Sequence, residues 1–224
     1  VFISEWGTTD HTGNGILYPE ETFDWIDFMD EHGLSWTNWS ITTREESSAA
    51  LKYTALSEGG WSDGDLTESG LLVRSLIRGQ NSSIVLFADS FETENFIACG
   101  WITENAGIDR EHASQGYISA LLNSGSSLIK EFPTDKFENI RIRFSYKTQN
   151  MSADEAIKVE WYDGKSWQLI KMLEAGGGWS THTLTLPEQA ADNYFFQFRM
   201  SSAFESGNAS ANLDDIALIA DRIE

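Results

Sequence analysis

The sequence is short of the residues that carry covalent and metal chemistry. It holds one cysteine, Cys99, so no disulfide can close within its 224 residues and no thiolate cluster can hold zinc. With no His or Asn arrangement to activate it, Cys99 reads as a small buried hydrophobe. His11, His32, His112 and His182 stand far apart, without the His-Glu-x-x-His spacing of zinc hydrolases. Basic residues are also few. Fifteen Lys and Arg face 35 Asp and Glu, and the formal charge of −20 argues against nucleic acid or an anionic membrane as partner. No apolar run approaches the about 18 residues of a membrane span, and the first residues read as a strand rather than a signal peptide. Ser4 lies in no Gly-x-Ser-x-Gly elbow and has no spaced His and Asp, which removes a serine hydrolase. Gly176-Gly177-Gly178 runs into Trp179 without the Lys-Ser/Thr of a phosphate loop, and so reads as a turn.

What is present is core-forming material, with 41% hydrophobic and 12% aromatic residues. Charge divides evenly: residues 1–80 carry 4 basic and 14 acidic groups (−10), residues 81–224 carry 11 and 21 (−10). The chain opens on Val1-Phe2-Ile3-Ser4-Glu5-Trp6-Gly7-Thr8, an apolar, β-branched run that delivers a carboxylate and an indole to a strand end. A helix is expected from about Pro19 to His32, with Pro19 at its first position, Glu20 and Glu21 near its positive end and Gly33 as stop. His32 then offers a favourable charge at the helix C-terminus. Phe23, Ile26 and Met29 form its buried stripe, which Trp25 and Phe28 widen. A second strand, Leu34 to Ser40, follows, and a closing helix runs from roughly Thr67, its N-cap, to Arg78, burying Leu72, Val73, Leu76 and Ile77. Strand, helix, strand, helix is the repeat of a (β/α) barrel, whose enzymes keep catalytic groups at the C-terminal strand ends.

The stretches SEWGT, WTNWS, EESSAAL and GGWSDGDLTESGLLVRSLIRG, in this order and spacing, resemble the last quarter of a bacterial cellulase catalytic domain of glycoside hydrolase family 5. The resemblance covers about residues 1–79 and implies the last two βα units of an incomplete (β/α)8 TIM barrel. It implies that Glu5 is the nucleophile and that Trp39 stacks on a glucose ring; Trp36, three residues earlier, reads from its position as a core packing residue. Arg44 and Glu46 fall where the family places a Lys and a Glu that bind sugar hydroxyls, so at Arg44 a planar fork replaces a point charge. The segment with Asn-Glu-Pro that carries the acid/base in such enzymes is absent, so the chain reads as a piece of an enzyme and is expected to be inactive alone. No catalytic cofactor is implied. Secretion follows from the resemblance only.

After a short polar linker at 80–83 the pattern changes to period two. Nine strands are expected over 84–224: Ile84–Phe87, Tyr117–Leu122, Ser127–Phe132, Ile140–Tyr146, Ile157–Tyr162, Trp167–Met172, Thr181–Leu186, Tyr194–Met200 and Leu213–Ile219. Short strands without a helix indicate an antiparallel β-sandwich. Asp163-Gly164 signals a two-residue hairpin, and alternation puts Arg141, Arg143 and Arg199 on one polar face. The opening Phe87–Glu92 and closing Asn212–Ile216 stretches resemble the first and last strands of jelly-roll modules of secreted hydrolases, many of which bind carbohydrate and hold calcium. That resemblance implies a structural calcium, expected at Asp214 and Glu92; alternation along the strand puts Asp215 on the opposite face from Asp214. The expected partner is a β-glucan, and the expected state a monomer. A β-mannanase or mixed-linkage glucanase would use the same chemistry. A non-catalytic glycan-binding or spacer protein is the alternative of a different class.

Overall fold

The computed structural model describes residues 1–14, 17–78, 83–114 and 116–223, and divides into two compact units, Val1–Phe87 and Ala88–Glu224. The expected linker at 80–83 lies outside the described residues except for Ser83.

The first unit begins with β1 (Phe2–Trp6), α1 (Pro19–Glu31), β2 (Ser35–Asn38) and α2 (Glu68–Ile77). The two strands pair in parallel, Phe2 opposite Ser35 and Ile3 opposite Trp36, with a register shift before Trp6 meets Asn38. The helix termini follow the expected chemistry. Pro19 opens α1 above Glu20 and Glu21, and Gly33 (φ +60°) ends it in the left-handed conformation that glycine adopts without strain. His32 Nδ1 lies 2.9 Å from the Phe28 carbonyl oxygen at this C-terminus. Thr67 caps α2, its hydroxyl accepting from Gly70 N–H at 3.1 Å.

Trp6, Ile26, Met29 and Val73 form the buried centre, with Ile3, Leu34, Trp36 and Leu76 packed around it. Two helical expectations need correction. Ile77 is 65% exposed rather than buried, and Trp25 and Phe28 lie at the exposed edge of the α1 stripe, stacked on each other with centroids 5.4 Å apart. Two strands and two helices carry the repeat of a barrel but do not close one, so the described architecture is a βαβα unit.

The remaining strands are β3 (Ile84–Asp89), β4 (Trp101–Glu104), β5 (Gly107–Asp109), β6 (Ser119–Leu122), β7 (Ser127–Glu131), β8 (Phe137–Gln149), β9 (Ala156–Tyr162), β10 (Trp167–Leu173), β11 (Ser180–Thr185), β12 (Gln197–Ala203) and β13 (Ser210–Arg222). They form a five-stranded sheet, β10-β9-β12-β7-β4, and a six-stranded one, β11-β8-β13-β6-β5, with β3 beside β13. This is the β-sandwich expected from period-two patterning, and β4 and β5 are strands the pattern missed. Ile142, Phe144, Phe198 and Met200 have no exposed surface, as alternation requires.

Three details differ from expectation. The β9–β10 connection spans Asp163–Ser166, because Tyr162 pairs with Trp167; Asp163 Oδ1 accepts from both Lys165 and Ser166 N–H at 2.8 Å and closes the longer turn. Arg141 and Arg143 lie on β8 and Arg199 on β12, so they belong to different sheets rather than one polar face. Cys99 is half-buried rather than buried.

Candidate functional site

The site expected in the first unit is built from two loops, one after each strand. Glu5 is exposed on β1 where the register with β2 shifts. Just beyond β2, Trp39 donates its backbone N–H to the Trp6 carbonyl at 2.7 Å, which sets it beside the end of β1. Trp39 is 44% exposed, Trp6 is 6% exposed, and the peptide bond between Trp39 and Ser40 is cis. Glu5 and Trp39 therefore stand on neighbouring strand ends at the C-terminal mouth of the pair. Trp36 is half-buried and meets Trp6 edge to face, centroids 5.2 Å apart at 80°, so the packing role expected of Trp36 is shared with the deeper Trp6.

Arg44 and Glu46 lie in the loop after β2, Glu46 N–H donating to the Arg44 carbonyl at 2.9 Å. Arg44 is exposed. Glu46 is half-buried, and its Oε1 is enclosed without a hydrogen-bond partner among the described residues. The loop folds back on itself, with Ala50 N–H donating to Ser40 O at 3.0 Å and Leu51 N–H to Thr42 O at 3.1 Å. Ser48 N–H ties it to Gly13 O at 3.0 Å, joining it to the loop after β1. The Thr8 and Ser69 hydroxyls meet at 2.8 Å, and Ser69 Oγ donates to Ser48 O at 3.3 Å, fastening both loops to the first turn of α2. Thr8, Ser48 and Ser69 were not singled out in the sequence, where short hydroxyl residues carry no signal without their partners. Among the described residues no hydrogen bond or ion pair joins Glu5 to Trp39, Arg44 or Glu46.

In the second unit, Glu92 Oε1 accepts from the backbone N–H groups of Tyr117 (2.8 Å) and Ile118 (2.9 Å). Asp214 has no exposed surface and accepts from Ser114 N–H at 2.7 Å and Asp215 N–H at 2.8 Å. Asp215 is half-buried with φ +48°, at a bulge that interrupts the β13 register. Both acids expected at a calcium site thus hold the segment between β5 and β6. Among the described residues no group of three or more His, Cys, Asp or Glu could hold a metal ion.

Ionisable groups are also buried at β3, β4 and β7. Asp89 accepts from Phe91 N–H and Trp101 Nε1, both at 2.7 Å; burial raises its pKa against these bonds. Lys130 is 5% exposed and donates to Cys99 O at 2.6 Å; burial brings its pKa down to about 8, opposed by Asp89 and Cys99. The Cys99 thiol is pushed up to about 12, first by burial and then by Asp89, so it is a poor nucleophile.

Residues 1–45 match the family model described as Cellulase (glycosyl hydrolase family 5). An endoglucanase of Clostridium saccharobutylicum is 44% identical over 95 residues, 42% of this chain and 21% of that protein. Endoglucanase A of Evansella cellulosilytica is 53% identical over 78 residues, 35% of this chain and 16% of that protein. A solved structure from Cytophaga hutchinsonii is 47% identical and covers 35% of this chain and 26% of that one, with a TM-score of 0.34. The CBM22-1 xylan-binding domain from Paenibacillus barcinonensis aligns with 64% of this chain and 98% of its own, at 16% identity and a TM-score of 0.49. The N-terminal part of this chain is thus similar to cellulases of glycosyl hydrolase family 5, and the chain spans about a fifth of the length of the curated relatives it matches.

Proposed function

We propose that this chain is the C-terminal part of a secreted, retaining endo-β-1,4-glucanase, formed by the last two βα units of its barrel and an appended glycan-binding β-sandwich. The observation that carries the reading is Glu5, exposed at the mouth of β1 with Trp39 on the neighbouring strand end. In a retaining mechanism two carboxylates about 5–5.5 Å apart flank the scissile bond. Glu5 attacks the anomeric carbon and displaces the leaving oxygen, which takes a proton from the second carboxylic acid. Water then cleaves the glycosyl ester with that second group as base. This second carboxyl belongs to barrel strands outside this chain. Trp39 offers its indole to a pyranose C–H face, and Arg44 and Glu46 Oε1, which has no hydrogen-bond partner among the described residues, receive sugar hydroxyls.

The open groove lined by Ile26, Leu34, Trp36, Leu76 and Ile77 together with Asp30 and Ser35, part apolar and part polar, supports the incomplete barrel as a flank where a further element would lie. In a protein that supplies the other strands, Glu5→Gln should abolish release of reducing sugar from carboxymethylcellulose while substrate is still bound. Turnover at the parent rate would remove Glu5 from the reaction.

The calcium reading of the second unit keeps Glu92 and Asp214 as carboxylate donors, and hard cations take six to eight oxygens. The geometry favours a second role for the pair, holding the segment between β5 and β6 through backbone N–H groups. Unfolding midpoints in chelator and in added calcium separate the two. A shift supports the ion, whereas equal midpoints together with loss of stability in Glu92→Gln support the tie alone.

A further inference from the structure

The outer face of the five-stranded sheet carries a polar and aromatic surface with no part in the cellulase chemistry. Register fixes what stands there. Phe198 and Met200 of β12 point into the core, so Gln197, Arg199 and Ser201 point outward. Pairing extends this side across the sheet. Leu169 of β10 is opposite Glu160 of β9, Glu160 opposite Arg199, Arg199 opposite Ile129 of β7, and Ile129 opposite Ile102 of β4. One row of side chains therefore crosses all five strands, about 19 Å at about 4.8 Å per step. In the row beside it, Trp167 is opposite Tyr162 and Gln197 is opposite Glu131.

These groups are held in place by one another. Arg199 donates to Glu160 Oε2 from Nε at 2.9 Å and from Nη2 at 2.7 Å, and Ser201 Oγ donates to the same oxygen at 3.2 Å. The guanidinium carbon lies 4.3 Å from the centroid of the half-exposed Trp167 ring, and the Tyr162 and Trp167 centroids are 5.4 Å apart. Gln197 Nε2 donates to Glu131 Oε1 at 2.6 Å. Such mutual support fixes planar polar groups before any ligand arrives, which lowers the cost of binding.

The chemistry selects the occupant. The Arg199 charge is matched by Glu160, and Lys158, opposite Ser201, is outweighed by Glu131 and Glu104 on the same side, so the face offers no positive field to a polyanion. Its exposed apolar members, Leu169 (55%) and Ile102 (52%), stand at opposite ends of the row, separated by the ion pair, rather than in one patch that would suit an apolar protein surface. Planar donors and acceptors beside half-exposed aromatic rings are what a pyranose needs, hydroxyls at its edge and C–H groups on its face. We propose that this face binds an extended β-1,4-linked glycan laid across the strands, with Trp167 and Tyr162 as stacking platform and Arg199 and Gln197 as hydroxyl partners, the buried Glu160 holding Arg199 in place. The proposal rests on the reading of the second unit as glycan-binding.

The test uses the intact 224-residue chain, with hydroxyethylcellulose in affinity gels and cellohexaose in calorimetry. Trp167→Ala and Tyr162→Ala should each weaken binding at least tenfold with unchanged unfolding midpoints. Arg199→Lys, which keeps the charge but loses the fork, should weaken it as well. Arg143→Ala, on the outer side of the other sheet, should bind as the parent does. If the parent chain binds neither probe, the glycan-binding reading itself falls. Binding that survives both aromatic changes, or that is lost only through Trp39→Ala or Arg143→Ala, overturns this face and leaves that reading standing.

Discussion

The backbone of Ala50 fills the space that a β-carbon on Gly70 would need, its carbonyl carbon 2.9 Å and its Cα 3.1 Å from that point. Thr67 N–H donates to Ala50 O at 3.2 Å and the Thr67 hydroxyl donates to Ala49 O, so the loop bearing Arg44 and Glu46 is seated on the first turn of α2. Gly70→Ala must push that loop or the helix aside. Overpacking of this kind costs about 1–3 kcal/mol. Denaturant titration should show that loss, with Gly178→Ala, where nothing lies within 4 Å of the added carbon, as the neutral control. Equal stability of the two variants would show that the seat is loose.

Trp6 and Trp39 share a backbone hydrogen bond but have opposite surroundings, 6% and 44% exposed. Trp6→Ala should cost about 3–5 kcal/mol, as truncation of a buried aromatic does. Trp39→Ala should leave the midpoint close to that of the parent and weaken oligosaccharide binding in a protein with the complete barrel. A stable Trp6→Ala variant and an unfolded Trp39→Ala variant would exchange the roles.

This pair shows what the sequence made legible. Glu5, Trp6 and Trp39 were visible as strand-end residues because alternation and the SEWGT and WTNWS stretches mark them. Which indole is buried depends on where α1 and α2 lie, and that is tertiary information. Period two likewise revealed nine strands but not β4 and β5, which are four and three residues long and have only one buried residue between them, Trp101. Alternation also cannot say which sheet a strand joins, so by itself it sets Arg199 beside Arg141 and Arg143 although β12 and β8 lie in different sheets. The hydroxyl network of Thr8, Ser48 and Ser69 was invisible because its members lie up to 61 residues apart.

Lys130 gives the second unit a pH dependence whose sign can be worked out. Its folded pKa of about 8 lies below the ordinary lysine value of 10.5, so between these values the unfolded chain binds more protons. Stability therefore rises with pH through that window and is lost again as pH falls through about 8. The Cys99 thiol works the other way from its ordinary value of 9.0 up to about 12, which confines the net gain to the lower part of the window. Asp89, whose pKa is raised, loses stability as pH climbs from the ordinary carboxylate range to its folded value. Urea unfolding should show a gain of about 1 kcal/mol between pH 7 and pH 9, absent in Lys130→Met. A flat profile in the parent, or an unchanged rise in the variant, would assign the dependence to another group.

The final prediction concerns how far each part stands alone. A two-stranded sheet is marginal in water, and among the described residues of the first unit α1 and α2 are the helices that accompany β1 and β2. Val1 (98%), Phe2 (57%) and Ile77 (65%) are exposed, so apolar surface remains on this unit even when it is folded. Residues 83–224 keep β3 whole and contain both sheets of the sandwich, with a core that includes Phe144, Phe196, Phe198 and Met200 at no exposure. That is an ordinary size for an independent domain. A fragment of 83–224 should unfold in one cooperative transition with dispersed amide signals. A fragment of 1–83 should be molten or aggregated unless the other barrel strands are supplied. A third fragment, 88–224, cuts β3 between Phe87 and Ala88 and should melt below 83–224, because most of that strand is gone. Sharp, dispersed signals from a monomeric 1–83 would make it a self-sufficient fold and overturn the incomplete barrel. If 83–224 fails to fold, the sandwich draws on a core outside those residues, and the division into two independent modules is wrong.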